Sequence, residues 1–153
     1  VRITCQFVED IYSVVALLKK RSDIEIIYER DYVTYPKESG YRSYHLHCYY
    51  NLETIDGTRK VLFEVQIRTM SMNVWATVEH SLNYKYQDEI PSDIKDKLIK
   101  AAQAAASLDE QISQIRNEIR EAQQQFILKR LRQFSTYDDN SWYIDRNNHN
   151  DDK

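Results

Sequence analysis

Glycine and proline are nearly missing, with two of each in 153 residues. A chain so short of breakers runs in long regular elements, and each breaker it keeps marks a turn. Cysteine is equally scarce. Cys5 and Cys48 lack metal-ligand spacing and sit in apolar, strand-like stretches, so they read as buried free thiols of a reducing cytoplasm rather than a disulfide. No apolar run approaches the roughly 18 residues of a membrane-spanning helix, and mean hydropathy is -0.69, so no membrane partner is expected. An excess of basic charge is absent too: 21 Lys and Arg stand against 24 Asp and Glu, a net charge of -3. That balance argues against a broad nucleic-acid surface while allowing a local basic patch. The first residue is Val1 and no basic-then-apolar leader follows. The chain is therefore expected to lack both a signal peptide and its natural start.

Tyrosine, by contrast, occurs 12 times. The opening Val1–Phe7 alternates apolar and polar residues, as a strand with one buried face does. Glu9–Arg21 spaces Ile11, Val14, Val15, Leu17 and Leu18 helically and ends in the basic run Lys19-Lys20-Arg21, which suits a helix C-terminus. Ile24–Val33 reads as a second strand on its β-branched and aromatic content, with Ser43–Asn51 and Arg59–Arg68 a third and fourth. Asp56-Gly57 between the last two predicts a hairpin. Thr34–Tyr41 contains Pro36 and Gly40 and reads as a loop. From Thr69 the period changes: Met70, Val74, Val78 and Leu82 recur every fourth residue and predict a helix to about Tyr86. After Pro91, the residues Leu98, Ala101, Ala105, Leu108, Ile112, Ile115, Ile119, Ala122 and Phe126 step by threes and fours as a heptad seam. Ser107-Leu108-Asp109-Glu110 offers a capping box at which that helix can break. The tail from Ser135 is crowded with Asp and Asn, with Trp142-Tyr143-Ile144 its one anchor. The order predicts an α+β fold: a small mixed β-sheet with flanking helices and a long C-terminal helical extension. It divides into a core over 1–90, a helical oligomerisation region over 91–134 and a polar tail over 135–153.

On the fourth strand Val61, Phe63, Val65 and Ile67 alternate with Glu64, Gln66 and Arg68; on the third, Tyr44, Leu46, Cys48 and Tyr50 alternate with His45, His47 and Tyr49. One sheet face is thus apolar and the other polar and titratable. The polar face is either a solvated outer surface or a substrate surface with Glu64 as metal ligand or general base and His45 as a phosphate-directed donor. In the preceding loop Arg30, Lys37 and Arg42 surround Tyr41, with a flexible Gly40 just before it. A ring able to stack on a base, with cations for phosphates, makes a nucleotide grip. The same residues equally serve an ordinary polar turn in which Tyr41 covers the sheet edge. Glu79 and His80 on the next helix are weaker candidates, since an isolated helical His is usually a packing or capping residue rather than a metal ligand.

Arg30-Asp31-Tyr32, Lys37-Glu38-Ser39-Gly40-Tyr41-Arg42-Ser43-Tyr44-His45 and Glu64-Val65-Gln66-Ile67-Arg68-Thr69 resemble the synthetase domain of the RelA/SpoT family. Met72–Tyr86 resembles its short stand-alone members, the small alarmone synthetases of the RelQ type. The likeness runs from Val1 to about Leu131. It implies a nucleotidyltransferase-like sheet and transfer of pyrophosphate from ATP to the 3′-hydroxyl of GTP or GDP, yielding pppGpp or ppGpp and AMP in the stringent response. By the family pattern Tyr41 stacks on the acceptor guanine, and Lys37, Arg42 and His45 lie near its phosphates and ribose. Glu64 helps hold Mg²⁺ and activate the hydroxyl, while Arg30 and Gln66 support the site. The family's other Mg²⁺ ligand, an Asp, and its ATP-binding cations would fall before Val1. The resemblance therefore implies that these residues carry the acceptor half of the site and are inactive alone. It further implies a cytoplasmic homotetramer, with a regulatory (p)ppGpp cleft between subunits at Asn73. The alternatives are a same-fold enzyme that pyrophosphorylates the 3′ end of tRNA, against which the lack of a basic stripe weighs, and a non-catalytic oligomerisation module.

Overall fold

Alternation at the N-terminus yields β1 (Arg2–Cys5), and the helical spacing after it yields α1 (Val8–Lys19), with Glu9 and Asp10 at its positive end and Lys19 at its negative end. β2 (Ile24–Asp31), β3 (Tyr44–Thr54), β4 (Gly57–Thr69), α2 (Met70–Tyr86) and α3 (Ser92–Asp138) follow. This computed structural model describes residues 1–86 and 90–138, with side-chain surroundings through residue 132. The Trp142-Tyr143-Ile144 anchor expected in the tail lies outside the described residues. The chain divides into two compact units, Val1–Gln114 and Ile115–Lys153.

The strands form one mixed sheet in the order β1-β4-β3-β2. β1 runs parallel to β4, while β4–β3 and β3–β2 are antiparallel. The fold is the α+β arrangement the sequence predicts. The hairpin closes tightly: Ile55 and Asp56 form the turn, and Gly57 follows at φ +101, a conformation open to glycine. Ile11 and Val15 of α1 pack on the apolar sheet face with Leu46, Cys48, Val65 and Ile67. Cys5 and Cys48 are buried free thiols, and burial raises the pKa of both, for Cys5 with a further contribution from Asp10. A second small core gathers Trp75 and Ala76 of α2 against Ala102 of α3, with Tyr41 and Leu98 at its edge.

Two sequence-based expectations are corrected. Val61 was expected on the buried face but is exposed, because the far half of the β3–β4 hairpin, including Tyr50, Leu52 and Leu62, extends past the helix that covers the sheet. The break in α3 at Ser107 does not form. No Gly or Pro interrupts residues 92–138, and the Ser107 hydroxyl accepts a hydrogen bond from Gln111 one turn on instead of capping. The heptad seam, finally, is only partly covered within the first unit, at Leu98, Ala105 and Ile112. Ala102 and Asp109 are buried there, with Leu98, Ala105, Ala106 and Ser113 half-buried, whereas Ala101 and Leu108 of the seam are exposed. Small side chains let neighbouring backbone approach: a Cβ placed on Gly40 would lie 2.4 Å from the Ala102 Cβ. On α2 the regular run Met70, Val74, Val78 likewise faces outward, and Met72, Trp75 and Ala76 are the buried residues.

Candidate active site

Cross-strand register carries polar side chains across the sheet in rows. Arg2 of β1 pairs with Gln66 of β4, Gln66 with His45 of β3, and His45 with Arg30 of β2. The neighbouring row places Glu64 opposite His47, and His47 opposite Tyr28. Residues directly paired across strands share a face, so strand alternation alone assembles this polar surface.

Five side chains on it close a hydrogen-bonded ring. Arg68 Nη2 donates to the Tyr41 hydroxyl at 2.5 Å and to Gln66 Oε1 at 3.0 Å. Gln66 Nε2 donates to Glu64 Oε2 at 3.0 Å. His45 Nδ1 lies 2.6 Å from Glu64 Oε1, and its Nε2 lies 2.8 Å from the Tyr41 hydroxyl. A guanidinium only donates and a carboxylate only accepts, so Arg68 donates to Tyr41 and Gln66 and His45 Nδ1 donates to Glu64. In the neutral imidazole that leaves Nε2 to accept the Tyr41 proton. Electrostatics agrees. Burial lowers the His45 pKa, the Glu64 hydrogen bond and charge oppose this without overcoming it, and Arg68 and Lys37 lower it further. For Glu64, burial pushes the carboxyl pKa up, but hydrogen bonds from Gln66 and His45 and the nearby imidazoles outweigh it and hold the group below its ordinary range. Two parallel hydrogen-bond routes thus run from Arg68 to an ionised Glu64.

Beside the ring opens a cleft of about 510 Å³, with Arg2, Lys37, Tyr41, Gln66 and Arg68 on the sheet and loop side and Ala76, Glu79, His80 and Asn83 on the α2 side. The Tyr41 ring is cushioned by cations: Lys37 Nζ is 5.1 Å and the Arg68 guanidinium 5.1 Å from its centre. Gly40 sets its direction. At φ +87 it donates its N–H to the Lys37 carbonyl at 2.8 Å, closing the turn that aims Tyr41.

Among the expected site residues, Tyr41, Lys37 and Gln66 line the cleft, and Glu64 and His45 join it through the ring. Arg30 sits further along the sheet, 4.5 Å over the Tyr28 ring. Arg42 is not brought to the cleft. Its Nε and Nη2 donate to the Val33 carbonyl at 3.3 and 3.2 Å, and it borders a different hollow with Glu9, Thr34 and Glu110. The second cation flanking Tyr41, beside the expected Lys37, is Arg68, which the loop-based reading passed over although it alternates with Glu64 and Gln66. Asn73 lies on α2, its Oδ1 buried without a hydrogen-bond partner.

Among the described residues no group of three or more His, Cys, Asp and Glu could enclose a metal ion. On the polar sheet face Glu64 offers an ionised carboxylate, about a third exposed, whose oxygens each keep a free lone pair. This fits a Mg²⁺ held through one carboxylate together with nucleotide phosphates, the usual manner for that ion, and does not fit a dedicated protein cage.

Residues 1–89 match the family described as a region found in RelA/SpoT proteins. GTP pyrophosphokinase YjbM of Bacillus subtilis (strain 168) is 53% identical over 129 residues, covering 84% of this chain and 61% of that protein. A GTP pyrophosphokinase family protein from Streptococcus pneumoniae has a similar structure, with a TM-score of 0.76 and 53% identity over 80% of this chain and 64% of the other. Small alarmone synthetase 1 from B. subtilis, bound to its product pppGpp, matches with a TM-score of 0.75 and 53% identity over 77% of this chain and 61% of that one. The chain thus spans about three-fifths of the length of these relatives. With the polar sheet face, the Tyr41 loop and the family match coinciding on the same residues, this chain belongs to the RelA/SpoT family.

Proposed function

We propose that the cleft binds the acceptor of a pyrophosphate transfer in a cytoplasmic (p)ppGpp synthetase. The 3′-hydroxyl oxygen of GTP or GDP attacks the β-phosphorus of ATP, the bond from that phosphorus to the α,β-bridging oxygen breaks, and AMP leaves. The observation that carries this reading is the ring from Arg68 to Glu64 beside a cleft lined by cations.

Tyr41 offers its face to the acceptor base, and Lys37 and Arg68 attract phosphates. Glu64, aimed by Gln66 and His45, accepts a hydrogen bond from the 3′-hydroxyl and takes its proton as the new bond forms. Mg²⁺ bound there would offset the charge that phosphoryl transfer gathers on the phosphate oxygens. Arg30 supports the polar row from β2. The same reading gives Asn73 to a regulatory guanine-nucleotide cleft between subunits of a homotetramer, favoured by its unpartnered Oδ1 and by the exposed Met70, Val74 and Val78 on its helix.

The test is chromatography of nucleotides after incubating the full-length natural protein with ATP, Mg²⁺ and GTP. Equal amounts of AMP and pppGpp are expected. Glu64→Gln should lower turnover at least ~100-fold with GTP binding kept, since shape survives and the charge does not. Turnover retained in that variant would remove Glu64 from the chemistry. Label appearing on deacylated tRNA and not on GTP would instead move the reaction to the same-fold alternative.

A further inference from the structure

Resting on that acceptor reading, we propose that Glu79 is the residue that distinguishes guanine from other purines in the cleft. On α2 the residues Ala76, Glu79, His80 and Asn83 line the cleft at spacings of three and four, one face of one helix. Every other formally charged side chain lining it is a cation: Arg2, Lys37 and Arg68. Glu79 is half-buried, and its carboxylate makes no hydrogen bond or ion pair with any described residue. It also borders an adjoining hollow of about 340 Å³ walled by Trp75, Ile90, Leu98 and Ile99, with Glu38 and Lys95 among its polar lining. A half-buried carboxylate that no described donor satisfies is open to a ligand that brings donors of its own.

The geometry decides which part of a nucleotide can do so. Phosphates are repelled by Glu79 and drawn to the cations, so the carboxylate faces the base. Guanine presents two adjacent donors, N1–H and the 2-amino group, which match the two oxygens of a carboxylate as a bidentate pair. Adenine presents a lone pair at N1 and is repelled. Hypoxanthine keeps N1–H and lacks the amino group, leaving one carboxylate oxygen unpaired.

The experiment compares GTP with ITP as acceptor for the full-length natural protein at saturating ATP. Wild-type kcat/KM is expected to favour GTP on the order of tenfold or more, since a site built for a donor rejects an analogue lacking it. Glu79→Gln should lose rate on GTP selectively, drawing the two acceptors to within about threefold, with KM for ATP and thermal stability unchanged. Glu79→Asp, which keeps the carboxylate, should restore part of the preference and serves if the Gln variant folds poorly. A Glu79→Gln protein that weakens on both acceptors alike, or keeps the wild-type ratio, would overturn the proposal, as would a wild type indifferent between them. No transfer to any guanine nucleotide by the wild type would sink the acceptor reading itself, and this proposal with it.

Discussion

Gly40 was singled out in the sequence for its freedom, yet the structure uses it for two constraints. Its φ of +87 would strain any other residue, and a Cβ there would meet Ala102 at 2.4 Å. Gly57 shares the positive φ, at +101, but faces open space. Gly57→Ala should therefore lose only the backbone component, about 1–2 kcal/mol. Gly40→Ala should lose clearly more in thermal unfolding and also weaken GTP binding, because Tyr41 is the next residue. Equal losses at the two glycines would show that the Ala102 contact does not matter. Tyr44 gives a prediction in pH. It is buried, donates to Glu29 at 3.1 Å, and its pKa is raised to about 12 by burial first and then by Glu29. A raised pKa stabilises below the unfolded value near 10 and is lost as pH climbs through about 12. The stability advantage of wild type over Tyr44→Phe should thus shrink by roughly 2–3 kcal/mol between pH 9 and pH 12 in urea melts, and a constant difference would refute it. Most of the site was legible at this scale because strand alternation dictates it: Glu64, Gln66 and Arg68 had to share a face. Arg42 was not legible, since nothing in the sequence says whether a loop guanidinium turns to a ligand or to the Val33 carbonyl.

At the scale of elements, one hydroxyl joins three of them. Thr69 ends β4, its Oγ1 accepts the Met72 N–H at 3.2 Å as the N-cap of α2, and it donates to Asp109 Oδ2 of α3 at 2.8 Å. Thr69 and Asp109 are both buried. Thr69→Val should destabilise by about 2–4 kcal/mol, combining a lost cap with a buried carboxylate left without its donor. A double-mutant cycle with Asp109→Asn should give a coupling of at least about 1 kcal/mol; strictly additive losses would mean the two act separately. The helices were readable from period and from the shortage of breakers. Which face of α3 packs was not. Ala101 and Ala102 are chemically identical, and the choice between them falls to Gly40, some sixty residues earlier in the chain, which no local pattern encodes.

For the whole molecule, the outward apolar residues on the second unit matter most. Ile115, Ile119 and Phe126 of the seam are each more than half exposed. A heptad stripe left open to water is a self-association surface. Light scattering on the full-length protein should give a mass above one chain at micromolar concentration. Ile115→Asp with Ile119→Asp should lower that mass, and a monomeric wild type would defeat the homotetramer. The sheet order has a different consequence, one of timing. The hairpin joining β3 and β4 turns in two residues, whereas the parallel pairing of β1 with β4 links Arg2 to Gln66 across most of the first unit. Closing that long loop is entropically the dearer step, so the hairpin can form early and the β1 edge docks late. During synthesis β1 emerges before β4 and must wait for its neighbour. Arg2 rides on β1 and Asn83 ends the far wall of the cleft, so a ribosome-bound chain carries no finished cleft until α2 has been made and β1 has found its place.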